Sequence, residues 1–420
     1  MTTALTIQGD RFLINGQPTY RAQGATNADA HGLLMNARFI QGIFDDAAEP
    51  ERFARFGWET WDPERHTDEL IAALPQWQRY GILALTVGLQ GGMPVFTTDN
   101  STIDNNPYND DGTAIDPRYL GRMGRLIEAA DRVGMIIIVS LLYQGQAPRL
   151  TDGRTIRNAV ITGARWLKDL GRRNVIIEVA NEQEVGNFRN RPLVNSGEGM
   201  AVLIDLAREH SGGLPVGCSG GGGTFIPETA KAGDVVLVHG NGLGRARYDA
   251  FITRVKDACG DVPIVCNEDS PCYSRVDVAA RIATSWGYYN NTTKQEPPAD
   301  WTVTAPEDRF FAERVARAVG LPGPLDEAEG DNPLAFLGFD RHVGRDGTRW
   351  LGVAGLHPEW IDRVDFYERG RRVFTAYEEP FYCYRTSTWT MRGVPNPDPA
   401  DWRAVVHHAG GVVSELTPQG

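Results

Sequence analysis

Two short stretches hold the residues best suited to chemistry. Glu178-Val-Ala-Asn181-Glu182 and Cys266-Asn267-Glu268-Asp269 each close a strand-length apolar run with acidic and amide side chains. Each therefore delivers a carboxylate at a strand end. Two carboxyl groups facing each other across a cleft are what cleavage of a glycosidic bond requires. One is protonated and donates to the leaving oxygen; the other is ionised and attacks or supports the anomeric carbon. Acidic residues at strand ends also serve as helix caps and surface groups, and Asp269 before Ser270-Pro271 reads as such a cap. Either glutamate alone would carry little. Taken together, with Asn181 directly before Glu182, the pair points to catalysis.

The elements that must position these groups follow from the hydrophobic pattern. Residues 81–87, 134–139, 174–180, 214–218, 235–238, 262–266 and 285–289 are apolar strand-like runs, most of them following a segment of helical period. Strands without alternation are buried on both faces, as parallel strands are. With residues 20–25 taken as the first, eight βα-type strands result, and Glu182 and Glu268 fall on the fourth and seventh, roughly opposite in a ring. The expected fold class is α/β, a (β/α)8 TIM barrel. A doubly wound open sheet is the alternative, but no Gly-x-Gly-x-x-Gly turn follows any strand. Insertions at 31–61 and 90–116 occupy βα loops, which crowd the catalytic face of a barrel. The first carries Phe39, Phe44, Phe53, Phe56, Trp58 and Trp61, read mostly as the loop's own small core, with one or two free to line a pocket.

The chain divides into a barrel with an N-terminal hairpin over 1–291, a connector with a helix over 292–336, and a small C-terminal antiparallel β-sandwich over 337–420. The hairpin rests on the β-type runs 5–7 and 12–14 around Gly9-Asp10; the sandwich rests on short strands separated by turn residues.

Composition removes several function classes. The 420 residues carry 42 Lys plus Arg against 54 Asp plus Glu, a net charge of −12. Such a surface repels phosphate backbones, so nucleic acid is not expected as a partner. No apolar run approaches a membrane span, and the N-terminus shows neither the basic nor the apolar region of a signal peptide. Cys218, Cys259, Cys266, Cys272 and Cys383 are odd in number and form no CxxC pair, as expected of reduced thiols in a cytoplasm. The histidines are scattered, without His-x-His or His-Glu-x-x-His spacing, so no metal and no cofactor is expected. Ser219-Gly-Gly-Gly-Gly223 lacks the Lys-Ser/Thr of a phosphate loop, and no Gly-x-Ser-x-Gly elbow supports a serine triad.

Asn181-Glu182 on strand four, Glu268 on strand seven and Trp286 on strand eight resemble the retaining glycoside hydrolases of clan A, the family 5-like (β/α)8 enzymes. The opening Phe12-Leu-Ile-Asn-Gly16 and Tyr20-Arg21 resemble the hairpin and first strand that begin such barrels. The resemblance covers residues 5–291, and Glu178-x-x-Asn181-Glu182 is its most specific piece. It implies a double displacement on a carbohydrate substrate, with Glu182 as general acid/base and Glu268 as nucleophile. It further implies that Asn181 bonds the sugar 2-hydroxyl, His239 lines the site, Trp286 is the floor under the sugar and Glu178 is a buried supporting acid. Tyr288, on the same strand end as Trp286, joins the candidate contacts.

Three positions depart from the pattern. Residues 87–92 stand where the family carries an arginine near the end of strand two. Residues 141–146 stand where it carries a histidine, and Asn241 where it carries a tyrosine after the strand-six histidine. Gln90, Tyr143, Gln144 and Asn241 are either substitute sugar contacts or loop packing. The tail around residues 361–381 resembles the Ig-like β-sandwich modules appended to many glycosidases, which implies a bracing role. A non-catalytic carbohydrate-binding barrel and a transglycosylase share these residues, and the oligomeric state is left open.

Overall fold

The computed structural model describes residues 2–321 and 332–418. Eight parallel strands form the centre: β1 (Asn36–Arg38), β2 (Ala84–Gly88), β3 (Ile136–Tyr143), β4 (Val175–Asn181), β5 (Val216–Gly217), β6 (Val236–His239), β7 (Ile264–Glu268) and β8 (Gly287–Tyr288). The residues of β2 and β4 are buried throughout, because side chains on both faces meet protein. That explains why these runs show no polar alternation.

Six strands pair in the order β8-β1-β2-β3-β4-β5, and β7 pairs with β6. Pairing of β8 with β1 is a ring arrangement rather than a doubly wound order. The hydrogen-bond ladder does not close, however. Between β5 and β6 the contact is Asp234 N–H to Val216 O at 2.8 Å, and between β7 and β8 it is a single bridge, Val265 with Ser285. β5 and β8 are only two residues long, too short to carry a ladder across.

Helices alternate with the strands. α1 (Pro63–Arg79), α2 (Pro117–Val133) and α3 (Gly153–Leu170) start at Asp62, Asp116 and Asp152, whose carboxylates accept first-turn N–H groups. Proline opens α1 and α2, and left-handed glycines Gly134 and Gly171 end α2 and α3. Then come α4 (Gly197–His210), α5 (Pro227–Ala232), α6 (Arg245–Cys259), α7 (Arg275–Arg281) and α8 (Pro306–Val319). α8, read from sequence as part of a connector, packs Phe310, Phe311, Val315 and Val319 into the same core as the parallel strands. Residues 322–331 of that connector lie outside the described residues.

Residues 20–25, expected as the first strand, form turns, and Tyr20 has a positive φ of 67°. The Tyr20 hydroxyl instead donates to Gly81 O at 2.8 Å and accepts from Met35 N–H at 2.9 Å. The true first strand is β1, which pairs Asn36 with Ala84 and Arg38 with Thr86. It is three residues long and two of them are polar, so it carries no apolar-strand signal. Phe44, Phe53, Trp58, Trp61 and Ile103 form a small separate core inside the inserted loops.

The N-terminal hairpin pairs Leu5 with Ile14 and Ile7 with Phe12. Leu5 N–H bonds Arg173 O at 3.0 Å, just ahead of β4, so the hairpin covers the N-terminal ends of the strands. The C-terminal ends are left to open on the βα loops.

Beyond α8 the strands are antiparallel. Leu334–Leu337, Gly352–Gly355 and Phe381–Tyr382 form one sheet; Arg371–Ala376, Ile361–Glu368, Trp402–His408 and Val413–Leu416 form another in that spatial order. Leu351, Val353 and Phe381 meet Val364, Phe366, Trp402 and Val406 in a core of their own. Leu337, Ala354 and Leu356 join the core of the parallel strands, and Tyr273 Oη donates to Gly355 O at 2.7 Å. No helix among the described residues is long and apolar enough to cross a membrane.

Candidate active site

The C-terminal strand ends converge on a cavity of about 560 Å³, within the ~300–1,000 Å³ usual for small-molecule sites. Glu182 and Glu268, far apart in sequence, both line it. β4 and β7 bring them together as their positions in the ring require. One carboxylate oxygen of each, with a ring nitrogen of His239, lie within 4.8 Å of one another.

β7 aims Glu268 through an irregularity. The β6–β7 register shifts between Cys266 and Glu268, so Asn267 is passed over and Glu268 stands opposite His239. Glu268 is 7% exposed. Its Oε2 lies 2.7 Å from Arg38 Nε and 3.6 Å from His239 Nδ1, and its Oε1 accepts from Asn241 Nδ2 at 2.8 Å. Burial alone would push this carboxyl up. The Arg38 guanidinium, His239 and the Asn241 amide together outweigh burial and hold it below the ordinary glutamate range.

Glu182 is reached one residue past β4. Its φ of 55° is left-handed, a sparsely populated conformation for a residue with a side chain, and turns of this kind recur at functional sites. Its N–H donates to Ser219 Oγ at 3.1 Å, tying the turn to the chain after β5. Its Oε1 lies 3.1 Å from His239 Nδ1. His239 is fully buried, and burial disfavours its charged form; the two glutamates reverse that and raise its pKa. His239 thus bridges both carboxylates from one ring nitrogen.

Arg38, at the end of β1, organises the floor. It is 1% exposed, and besides Glu268 it donates from Nη2 to Asn181 Oδ1 at 2.6 Å. That bond fixes the Asn181 amide with its oxygen on Arg38 and its NH2 left to donate elsewhere. Glu178 sits three residues before Asn181 on β4, fully buried, accepting from Asn267 Nδ2 at 3.0 Å. Its charge adds to that of Glu268 in stabilising the Arg38 cation.

The other expected contacts divide. Tyr143 and Asn241 line the cavity, as does Gln144. Gln90 does not: it is buried, accepting from Tyr143 N–H at 2.9 Å and donating to Asn106 at 2.8 Å, and so staples β2 to β3. Trp286 is not a floor either. It is fully buried ahead of β8, its indole N–H donates to Asp269 Oδ2 at 2.9 Å, and its ring centroid is 5.8 Å from that of Phe311 in α8. Tyr288 stacks on the same Phe311 at 4.3 Å and donates to Asp308. Residues two apart on a strand share a face, so Trp286 and Tyr288 both look outward to α8. Tyr289 takes the opposite face and lines the cavity, 5.6 Å from the Arg38 guanidinium. Asp269, read as a cap, is buried in an ion pair with Arg275.

Arg38, Tyr289 and Trp389 are lining residues that sequence reasoning passed over. Strand alternation was the signal available for Tyr289; Arg38 had none within its own three-residue strand. The rim is shaped by the loop after β2. There Glu296 accepts the N–H groups of Val95, Phe96 and Thr97 at 2.7, 3.2 and 2.9 Å, plus the Thr97 hydroxyl at 2.6 Å.

Glu182, His239 and Glu268 have the spacing of a three-ligand metal site. The Arg38 guanidinium already holds the cation's place against Glu268. A divalent ion about 4 Å from it would face repulsion of roughly 8 kcal/mol at an effective dielectric of about 20. The residues therefore fit an arginine-neutralised carboxylate pair better than a metal.

No protein-family model matches the chain, and no curated protein matches it. Solved structures with a similar course include a β-glucuronidase from Parabacteroides merdae, at 10% identity and a TM-score of 0.46, covering 99% of this chain and 50% of that one. An endo-1,4-β-mannanase from Rhizomucor miehei matches at 11% identity and a TM-score of 0.48, over 75% of this chain and 99% of its own. A broad-specificity endoglucanase from Bacteroides salanitronis matches at 12% identity and a TM-score of 0.47, over 69% and 93%. The chain spans about half the length of the β-glucuronidases it matches.

Proposed function

We propose that this chain is a retaining glycoside hydrolase that cleaves a glycosidic bond by double displacement. The observation that carries the reading is the close approach of the two carboxylates, with oxygens within 4.8 Å. Retaining glycosidases hold their carboxyl groups about 5–5.5 Å apart, whereas inverting enzymes leave roughly 6.5–9.5 Å for a water.

Glu268 is the nucleophile. Held ionised by Arg38, His239 and Asn241, it attacks the anomeric carbon and forms a glycosyl ester. Glu182 gives its proton to the departing oxygen, then takes one from the water that hydrolyses the ester. His239 Nδ1, within reach of both carboxylates, steadies whichever is ionised at each stage. The Asn181 amide, its oxygen pinned by Arg38, is the donor for the sugar 2-hydroxyl beside the nucleophile. Arg38 acts through Glu268 and Asn181 and is a positioning residue.

We further read the parallel strands as a barrel that takes in α8 beyond residue 291, and the C-terminal sheets as an Ig-like module that braces it. Proton NMR of a glycoside digest tests the mechanism. The first-formed product should keep the anomeric configuration of the substrate; an inverted first product would overturn the assignment of Glu268 as nucleophile.

A further inference from the structure

We propose that Trp389, carried by the C-terminal part of the chain, is the sugar-stacking residue of this cavity and receives the apolar face of a neutral pyranose. The proposal rests on the glycosidase reading above and extends it to substrate class. Trp389 lines the same cavity as Glu182 and Glu268, and it is 36% exposed. A partly exposed indole is unremarked on a flexible surface, but this one sits on a loop fixed from several sides. Arg385 and Met391 bridge across its base, Thr386 N–H donates to Thr390 O at 2.9 Å, and Trp389 N–H donates to Ser387 Oγ at 3.3 Å. Thr388, 5% exposed, accepts from Gly242 N–H at 2.7 Å and shares a 2.7 Å hydrogen bond with Ser270 Oγ.

Those two anchors belong to the loops that carry the chemistry. Gly242 follows Asn241, which donates to Glu268, and Ser270 lies two residues beyond Glu268 itself. The indole is therefore registered on the nucleophile's own loops while leaving surface for a ligand. Pyranose rings have an apolar C–H face that packs on aromatic rings, and aromatics with a few placed polar groups are the usual lining of such sites. The strand-eight tryptophan has no surface to offer, because Trp286 is buried on Phe311. Trp389 supplies from a distant segment what that strand does not.

Charge defines the sugar. Among the described residues lining the cavity, Arg38 is the sole cation, and it is committed to Glu268 and Asn181. The polar remainder includes Asn100 and Gln144 and the amide oxygens of Asn241 and Asn291, which accept no bond from the described residues and suit hydroxyl groups. A uronate or sulfate would meet two carboxylates and no free cation.

The test uses the full chain, its Trp389→Ala and Trp389→Phe variants, and 4-nitrophenyl glucosides, galactosides and mannosides of both anomeric configurations, with 4-nitrophenyl β-D-glucuronide as the charged probe. For the best neutral glycoside, Trp389→Ala should raise KM about tenfold while kcat changes less than about threefold, and Trp389→Phe should recover most of the loss. A KM within about twofold of the parent, a Phe variant no better than Ala, or preference for the glucuronide would overturn the proposal. Binding separates this from the hydrolase reading. In the Glu268→Gln background, tryptophan fluorescence is titrated with the parent monosaccharides and with cellobiose and mannobiose. A quench that disappears with Trp389→Ala supports the stacking role even if no glycoside is turned over, a result that would defeat the hydrolase reading alone. A quench that survives Trp389→Ala, or no quench in the Trp389-containing protein, overturns it.

Discussion

Replacing Arg38 by methionine keeps most of the side-chain volume and removes the charge that faces Glu268. The guanidinium Nε is 2.7 Å from Glu268 Oε2, and both groups are almost fully enclosed, with side chains 1% and 9% exposed. With charge centres about 4 Å apart and an effective dielectric near 20, the lost attraction is roughly 4 kcal/mol as an upper figure. His239 and Asn241 remain in place and retain part of the depression, so the Glu268 pKa should rise, by less than the loss of the whole attraction would give. The acidic limb of kcat/KM, which reports free-enzyme ionisations, should move up with it.

The stability consequence has a definite sign. In the parent, the folded-state pKa of Glu268 lies below its unfolded value. The pair therefore contributes stability above the unfolded glutamate pKa of about 4.3 and loses it as pH falls through the folded pKa. In Arg38→Met the carboxylate is buried without its main partner, at a cost of about 3–5 kcal/mol while it stays ionised. Protonation relieves that cost, so the stability gap between parent and variant should be wide at pH 8 and narrower at about pH 4, as pH falls through the variant's Glu268 pKa. Urea unfolding at both pH values, beside the pH–rate profile on an aryl glycoside, measures the two effects together. An acidic limb that stays put, or a gap equal at both pH values, would refute the reasoning that Arg38 holds Glu268 ionised.

Four further outcomes are expected. Glu182→Ala should slow glycosides with poor leaving groups by about 10²–10⁴ but activated aryl glycosides far less, measured as kcat/KM across a leaving-group series; equal losses would remove Glu182 as the acid. Trp286→Ala should cost about 3–5 kcal/mol in denaturant unfolding, as a large core truncation. Trp286→Phe should lower the melting temperature while leaving KM nearly unchanged, since the indole does not reach the cavity. Glu296→Ala should free the N–H groups of Val95, Phe96 and Thr97, seen as faster hydrogen exchange there and a higher KM, with a stability cost of about 1–3 kcal/mol.

What could be read from sequence follows the range of the interactions. β3 and β4 announce themselves because a strand buried on both faces is a local apolar run, and Glu182 and Glu268 are conspicuous as acids ending such runs. β1 does not announce itself. Its three residues, Asn36-Ala-Arg38, owe their burial to neighbours at Ala84–Thr86 and Gly287, so the local pattern points to 20–25 instead and passes over the arginine beside the nucleophile. The eighth strand shows a different failure. Its aromatics were legible, but which of them faces the cavity depends on a period-two alternation set by Phe311, more than twenty residues later. Trp389 is set by contacts of its neighbour Thr388 with Gly242 and Ser270, more than a hundred residues away, and no local pattern reports them.

Trapping the covalent intermediate tests the central claim most directly. The full chain would be incubated with 2-deoxy-2-fluoro glycosyl fluorides of the neutral hexoses, digested, and its peptides mapped by mass spectrometry. A single fluoroglycosyl adduct on Glu268, absent in Glu268→Gln, is the expected result. An adduct on Glu182 or another residue, or no adduct from a fluoride of the sugar the enzyme hydrolyses, would contradict it.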